Sequence, residues 1–493
     1  MLYIRMLLMM VVSLYTSRVV LATLGVTDFG IYGVVGGIVS MFSFINGAMA
    51  TGTQRYLSYE LGRGDKEQLR KVFSMSINIH LLLALIILLL SETIGLWFLY
   101  EKMVIPAERL TAAFWVYQFS ILTTLVMVLS VPYNAVIIAH ERMSAFAYIS
   151  IFEAVAKLLI VYLLLLCKWD RLILFSVLML VVQLSIRFIY GFYCKRHFPE
   201  SCYYFVKDKA LFKEMLGFSG WNFWGSCAVM GYTQGLNILL NMFFGPTVNA
   251  ARNIAVQVQA AASLLSSNFQ MALNPQIIKT YASNEINQMH LLIFRSAKIT
   301  YLFLFILSVP ILLKTNYILI LWLKDFPNYS IVFIRLMLCI TIVDAVSNPF
   351  MVASAATGEV KRYQTILGAI LLLIVPISYL VLMLGFPPYS VFIVHLSISI
   401  LAFGVRLLLI SSMIKMSLKV YTKQVIMPLL LFTIFALFIP GCSMCIFYKD
   451  NFANLIFIIF LNLLSAILLG YVILLNTSER KYISTKIASL LKK

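Results

Sequence analysis

Arg18, Glu153, Lys157, Arg252 and Asp344 are ionisable residues set in long apolar stretches. Each costs about 3 kcal/mol to place in hydrocarbon unless it faces a protein interior or a water-filled cavity. Arg18 shares a polar patch with Ser13, Thr16 and Ser17; it either lines a cavity or snorkels to the headgroups. Glu153 and Lys157 stand at i, i+4, the order that favours an ion pair, which is either a neutralised structural pair or a coupling site. Helical spacing gathers Asn249, Arg252, Asn253 and Gln257 on one face, and Gln234, Asn237 and Asn241 on another. The second of these stretches holds Gly217, Gly220, Gly225, Gly231 and Gly235, enough glycine to let a helix bend. Thr341, Asp344, Ser347 and Asn348 form a third stripe. Each stripe either lines a cavity or bonds a neighbouring helix. Arg187, Arg335 and Arg406 lie near the ends of apolar stretches and are read as snorkelling.

The chemistry these residues suit is binding and charge compensation rather than bond making. The sequence has no phosphate-cradling glycine loop followed by Lys-Ser/Thr, no paired-histidine zinc motif and no nucleophile elbow. Its five histidines form no ligand cluster. An enzyme is therefore not expected, nor a metal or cofactor, and a proton or sodium gradient is the candidate energy source. Cys442 and Cys445, the one close cysteine pair, lie in an apolar stretch without the strand context of a redox motif.

The elements that must position these residues follow from composition. With 62% hydrophobic and 12% charged residues and a mean hydropathy of +0.96, the chain lacks the polar surface of a water-soluble protein. In lipid the backbone must pair internally, and the apolar runs are far longer than barrel strands, so the fold class is all-α. Spans of roughly 20 residues fall at 2–24, 31–55, 77–99, 111–139, 145–166, 171–192, 216–243, 248–272, 299–321, 330–356, 363–384, 388–412, 425–447 and 452–475, about fourteen in all. The opening run lacks the basic leader and cleavage pattern of a signal peptide and reads as the first span. Because it begins almost at Met1, a polar, basic segment is expected to be encoded upstream.

The net charge of +19 needs no nucleic-acid partner, because the cations concentrate in alternate loops. With both termini in the cytoplasm, about 25 of the 38 lysines and arginines are cytoplasmic, about 8 external and about 5 intramembrane. Residues 193–215 carry five lysines or arginines among aromatics and suit a linker lying on the anionic inner leaflet. In the tail 476–493, Ile483, Ile487, Leu490 and Leu491 recur at helical spacing with lysines between, as in another in-plane helix.

A shift of about 220 residues lays Leu24-Gly25-Val26-Thr27 on Phe244-Gly245-Pro246-Thr247 and Gly64-Asp65 on Asn284-Glu285. Nearly the same shift lays Ser130-Val131-Pro132-Tyr133 on Ser347-Asn348-Pro349-Phe350, each followed by an acid, Glu141 and Glu359. The pattern indicates a duplicated six-helix unit. Six is even, so both copies enter the membrane in the same direction. The organisation is then a first lobe at 1–192, the linker 193–215, a second lobe at 216–412, two added helices within 413–475, and the tail.

Arg18, Leu24-Gly25-Val26-Thr27-Asp28-Phe29-Gly30-Ile31-Tyr32, Gly47, Gln54-Arg55-Tyr56 and the basic loop Leu61-Gly62-Arg63-Gly64-Asp65 together resemble the opening of bacterial polysaccharide-type flippases of the Wzx kind. That superfamily also contains multidrug extruders and the lipid II flippase. The resemblance implies two six-helix lobes in a V in the inner membrane. It also implies a cargo of undecaprenyl-diphosphate-linked oligosaccharide, for O-antigen, capsule or exopolysaccharide, carried from the cytoplasmic to the periplasmic leaflet. The cargo's diphosphate calls for a cation, for which Arg18 or Arg252 is suited, and its sugars for polar stripes. Membrane lipids and other polysaccharide-assembly proteins are the further partners implied. The lipid II flippase clusters several cations in its first two helices; here only Arg18 is intramembrane there, which argues against lipid II. The alternatives are a cation-coupled multidrug extruder, for which Glu153 is the candidate acid, an unrelated twelve-helix secondary transporter, and a membrane polysaccharide polymerase, which would call for a long external loop.

Overall fold

The computed structural model of the chain describes residues 49–101, 106–166, 169–446, 451–476 and Arg480, with scattered positions between 12 and 47. The protein is all-α and polytopic. Ten helices among the described residues are long and apolar enough to cross a membrane. We number the helices α1 (49–63), α2 (Lys66–Glu101), α3 (Leu110–Ala139), α4 (Met143–Leu166), α5 (Arg171–His197), α6 (Lys209–Phe244), α7 (Pro246–Ala282), α8 (Ile286–Leu313), the short α9 (Thr315–Leu323), α10 (Ser330–Thr357), α11 (Val360–Met383), α12 (Ser390–Met413), α13 (Leu418–Gly441) and α14 (Phe452–Leu474). α6 and α7 are long enough to span but more polar, because they carry the first two stripes. The predicted spans 2–24 and 31–55 fall mostly outside the described residues, as does most of the tail. Leu430, Ile434 and Phe438 are exposed at i, i+4 and i+8 on α13, the one-sided apolar row that lipid requires.

Several helices outrun their predicted spans. α2 begins eleven residues before the predicted 77, at Lys66, where the Asp65 carboxylate accepts from Gln68 N at 2.9 Å and caps the first turn. A hydropathy window registers only the apolar middle of such a helix, not its charged extension into water. The predicted span 299–321 is broken: α8 ends at Leu313, three residues after Pro310, and α9 starts at Thr315.

Some backbone features recur at the spacing of the expected repeat. Gly25 and Gly245 both take positive φ, +81° and +78°, at the turns before the second and eighth predicted spans. Gly64 and Asn284 do the same at +75° and +61°, and Glu141 and Gly358 at +59° and +82°. Pro132 of α3 and Pro349 of α10 each lie inside their helix. The first two pairs and the prolines fall where the sequence aligns them, whereas Glu141 pairs with Gly358, one residue before the Glu359 that the sequence matched to it.

The chain divides into two compact units, Met1–Ser226 and Cys227–Lys493, with the boundary inside α6 rather than at the predicted linker. The linker residues belong to the first unit because they are strapped across α2. Tyr204 N donates to Ser74 Oγ at 3.3 Å, Asn78 Nδ2 to Val206 O at 3.4 Å, and Lys71 Nζ lies 3.4 Å from Asp208 Oδ2. His140, at the end of α3, meets Glu200 at 2.5 Å and stacks on Phe198. Burial alone would raise the Glu200 carboxyl, but the His140 hydrogen bond, with backbone and charge help, outweighs it and holds the group below its ordinary range. That contribution to stability is present above the ordinary carboxylate pKa and fades as pH falls through the lowered one.

In the first unit α3 is central, packing on α2, α4 and α5. In the second, α10 packs on α7, α8 and α12. α13 and α14 dock on α8 through polar links: Asn462 Nδ2 donates to Ile306 O at 3.0 Å, Lys298 Nζ to Leu474 O at 2.7 Å, and the Tyr301 and Thr433 hydroxyls meet at 2.5 Å.

Candidate functional site

The polar residues of the second unit converge because of how its helices turn. Gly245, at φ +78°, reverses the chain between α6 and α7, and no side chain with a Cβ takes that conformation comfortably. α7 therefore returns beside α6, and Arg252 Nη2 donates to Thr233 O at 2.8 Å. Arg252 is only 6% exposed, and its Nε–H is buried with no partner. The α7 stripe thus splits: Arg252 turns into the unit, whereas Asn253 and Gln257 are exposed and Asn249 is half-buried. The α6 stripe supplies Gln234 and Asn241, both exposed, and Asn237, whose Nδ2 donates to Gln234 Oε1 at 3.5 Å. The side-chain carbonyls of Asn237 and Asn249 are buried without partners.

The third stripe faces two neighbours. Asn348 Nδ2 donates to Gln270 Oε1 of α7 at 3.4 Å, and Asp344 Oδ1 lies 3.8 Å from Arg406 Nη1 of α12. On α12, His395 sets its ring against Tyr232 of α6, centroids 5.0 Å apart and planes at 63°, with its Nε2 buried and unpartnered. Tyr232 is within electrostatic reach of Asp344, Arg406 and Arg252. The interior of this unit therefore holds two arginines, one carboxylate, an imidazole and amide groups with unspent hydrogen-bonding capacity. Such a group can bind an anion with several oxygens. It holds no arrangement of nucleophile and base, and among the described residues there is no cluster of three metal-ligating side chains.

Arg406 corrects the sequence reading. The sequence predicts snorkelling for Arg187, Arg335 and Arg406; Arg335 is exposed near its helix end and donates through Nε to Thr315 Oγ1 at 3.3 Å, Arg187 lies 3.9 Å over the Tyr133 ring, and Arg406 instead turns toward Asp344. The signal that points to Arg406 is the cost of Asp344 itself, since an acid inside a span demands a cation.

In the first unit, Lys157 Nζ donates to Glu153 Oε1 at 2.6 Å, the ion pair that the spacing favours. Arg18 lies outside the described residues. A further acid went unassigned in the sequence: Glu92 sits in a π-helical turn of α2, Ser91–Gly95, where its Oε2 accepts from Gln118 Nε2 at 3.3 Å. The same turn lets Tyr117 OH donate to Ser91 O at 2.7 Å. At one end of the unit Arg109 binds two acids at once. Its Nε donates to Asp28 Oδ1 at 2.8 Å, its Nη2 also reaches Asp28, and its Nη1 donates to Asp170 Oδ2 at 2.6 Å. The Asp28 bond, with Asp170 in support, outweighs desolvation and holds the guanidinium more firmly in its charged form. At the shift of about 220 residues the second unit has Tyr329 and Tyr389 in place of Arg109 and Asp170, with ring centroids 6.5 Å apart.

The Glu153–Lys157 pair makes a prediction. Replacing one charge alone leaves the other uncompensated inside the membrane, at about 3 kcal/mol on insertion scales, so either single apolar variant should lower the membrane level several-fold. Glu153→Gln with Lys157→Met should restore that level, read by fluorescent size-exclusion chromatography, and should transport nearly normally. A well-expressed double variant that fails to transport would make the pair part of the coupling machinery.

Comparison with known proteins adds the following. The sequence model of a family described as polysaccharide biosynthesis protein matches residues 1–281. No curated protein matches the sequence significantly. Among solved structures the fold is similar to that of a MOP superfamily transporter from Pyrococcus furiosus described as having a binding pocket of reverse polarity. That similarity has a TM-score of 0.68 at 16% identity and covers 84% of this chain and 94% of that one. It is also similar to an outward-facing multidrug resistance MATE family transporter of the MOP superfamily, with a TM-score of 0.66, 17% identity and coverage of 83% and 94%. A MATE protein in a bent conformation gives 0.68, 16%, and 84% and 94%.

Proposed function

The chain belongs to the polysaccharide biosynthesis protein family and has the fold of MOP superfamily transporters, and from that premise we propose that it flips lipid-linked oligosaccharide repeat units from the inner to the outer leaflet of the cytoplasmic membrane by alternating access. The observation that carries this reading is Arg252, buried in the second unit with an unpartnered Nε–H. A guanidinium in low dielectric with donors to spare suits the forked geometry of phosphate oxygens, and a diphosphate crossing the bilayer interior needs such compensation. The exposed amides of Gln234, Asn241, Asn253 and Gln257 suit sugar hydroxyls. An apolar groove of about 250 Å³ lined by Tyr301, Val346, Phe403 and Leu430 suits part of an isoprenoid chain. The protein acts as a transporter rather than an enzyme, its coupling ion being a proton or sodium.

A second reading, cation-coupled multidrug extrusion, draws on the likeness to MATE proteins. Deletion separates the two. A flippase mutant should accumulate lipid-linked oligosaccharide on the cytoplasmic leaflet and lose surface polymer, whereas an extruder mutant should become drug-sensitive with its polymer intact. The direction of transport rests on orientation, so tags after Gly64, Lys207 or Lys493 should report the cytoplasm and tags near Pro387 or Asp450 the periplasm. An external Gly64 would reverse the direction proposed.

A further inference from the structure

Asp344 and Arg406 meet by a single contact of 3.8 Å, beyond hydrogen-bond range, where a carboxylate and a guanidinium can make two parallel bonds at about 2.8 Å. The pair is loose on the arginine side, for Arg406 Nε is buried with no partner. Access is lopsided: the Asp344 side chain is 36% exposed and that of Arg406 15%, so a ligand arriving from open space meets the carboxylate first. Arg252, with its own unspent Nε–H, lies nearby in the same unit: it bonds the carbonyl of Thr233, whose neighbour Tyr232 packs on His395 of α12, the helix that carries Arg406. With Asp344 ionised, the two arginines and the acid carry one net positive charge, too little for a diphosphate.

We infer that Arg406 is a second arginine for the cargo's phosphate oxygens and that Asp344 is an internal counter-anion which the cargo displaces. The inference rests on the flippase reading and deepens it by assigning an occupant to the resting site. A phosphoryl group offers more oxygens and more charge than one carboxylate held by one long contact, so it can take the fork that Asp344 leaves mostly unused. Until then Asp344 keeps Arg406 from being an uncompensated charge in the unit's interior. The carboxylate thus weakens anion binding in exchange for a compensated empty state.

The probe is farnesyl diphosphate, titrated against the purified full-length protein in detergent at fixed salt. Asp344→Asn should tighten binding about three- to tenfold, Arg406→Gln should weaken it about tenfold, and the double variant should match Arg406→Gln, because Asp344 acts through that arginine. Arg406→Lys, which keeps charge without the fork, should fall between. A purely structural pair gives a different result: Asp344→Asn would lower thermal stability and weaken binding or leave it unchanged, and either outcome overturns the inference. Polymer export by the same variants is scored separately. Arg406→Gln protein that binds the probe and exports normally sinks this inference alone. The predicted binding pattern in a protein whose deletion leaves lipid-linked oligosaccharide unchanged sinks the flippase reading and leaves the anion site standing.

Discussion

On the proposed flippase reading, Arg252→Gln is expected to cut export of the lipid-linked glycan by tenfold or more, with the undelivered cargo accumulating on the cytoplasmic leaflet. One charge-assisted contact to a desolvated anion contributes about 1.5–3 kcal/mol, and every 1.4 kcal/mol is a factor of ten in affinity. Arg252→Lys keeps the charge but not the planar fork and should export partially. The loss should not be a folding defect. Arg252 is buried with one bond, to Thr233 O, and an idle Nε–H, so replacing it with a neutral amide removes an under-satisfied charge. Membrane level and thermal stability should therefore stay at the wild-type value while export falls. Arg18→Gln is expected to act in the same direction from sequence alone. Should Arg18→Gln and Arg252→Gln, singly and together, export at the normal rate, the diphosphate is bound elsewhere.

Outside the membrane-spanning segments, the largest effect on stability should come from Arg109→Ala. This arginine joins three segments distant in sequence, since Asp28 lies between the first two predicted spans and Asp170 caps α5, accepting from Leu172 N at 3.0 Å. Removing it discards the bonds to both acids and leaves two carboxylates facing each other. All three side chains are partly exposed, Arg109 at 30%, so solvent screens the loss to about 2 kcal/mol, or several degrees in the first unfolding transition. Arg109→Lys should lose less. Adding Asp28→Asn and Asp170→Asn to Arg109→Ala should recover part of the deficit by removing the repulsion. Thermal unfolding in detergent reads all of these, and an Arg109→Ala protein that melts with the wild type would show the cluster to be ornamental.

The spans were legible because hydrocarbon imposes length and composition directly, and the repeated turns because Gly25 and Gly245, like Gly64 and Asn284, recur about 220 residues apart. Helix ends were less legible: the Lys66–Ser76 part of α2 is amphipathic, and a hydropathy window cannot tell it from loop. Within the candidate site Arg252 and Asp344 could be found, since a charge in a span announces itself. For Arg406 the cost of Asp344 demands a cation but does not say which one, and His395 carries no signal, because both contacts come from α12 meeting α10 and α6 rather than from any periodicity on α12. The Arg109 cluster was beyond reach for the same reason. Each member is an ordinary loop charge until the fold brings the three together.

The paired left-handed turns bear on the path of the chain. Where one half has Gly64 the other has Asn284, and where one has Glu141 the other has Gly358, yet the chain bends the same way in both. Where the first half has Arg109 and Asp170, the second has Tyr329 and Tyr389. The chain thus changes direction at matching points in both halves, while the side chains around those points differ. The same backbone path therefore accepts an ionic cluster in one half and an aromatic pair in the other.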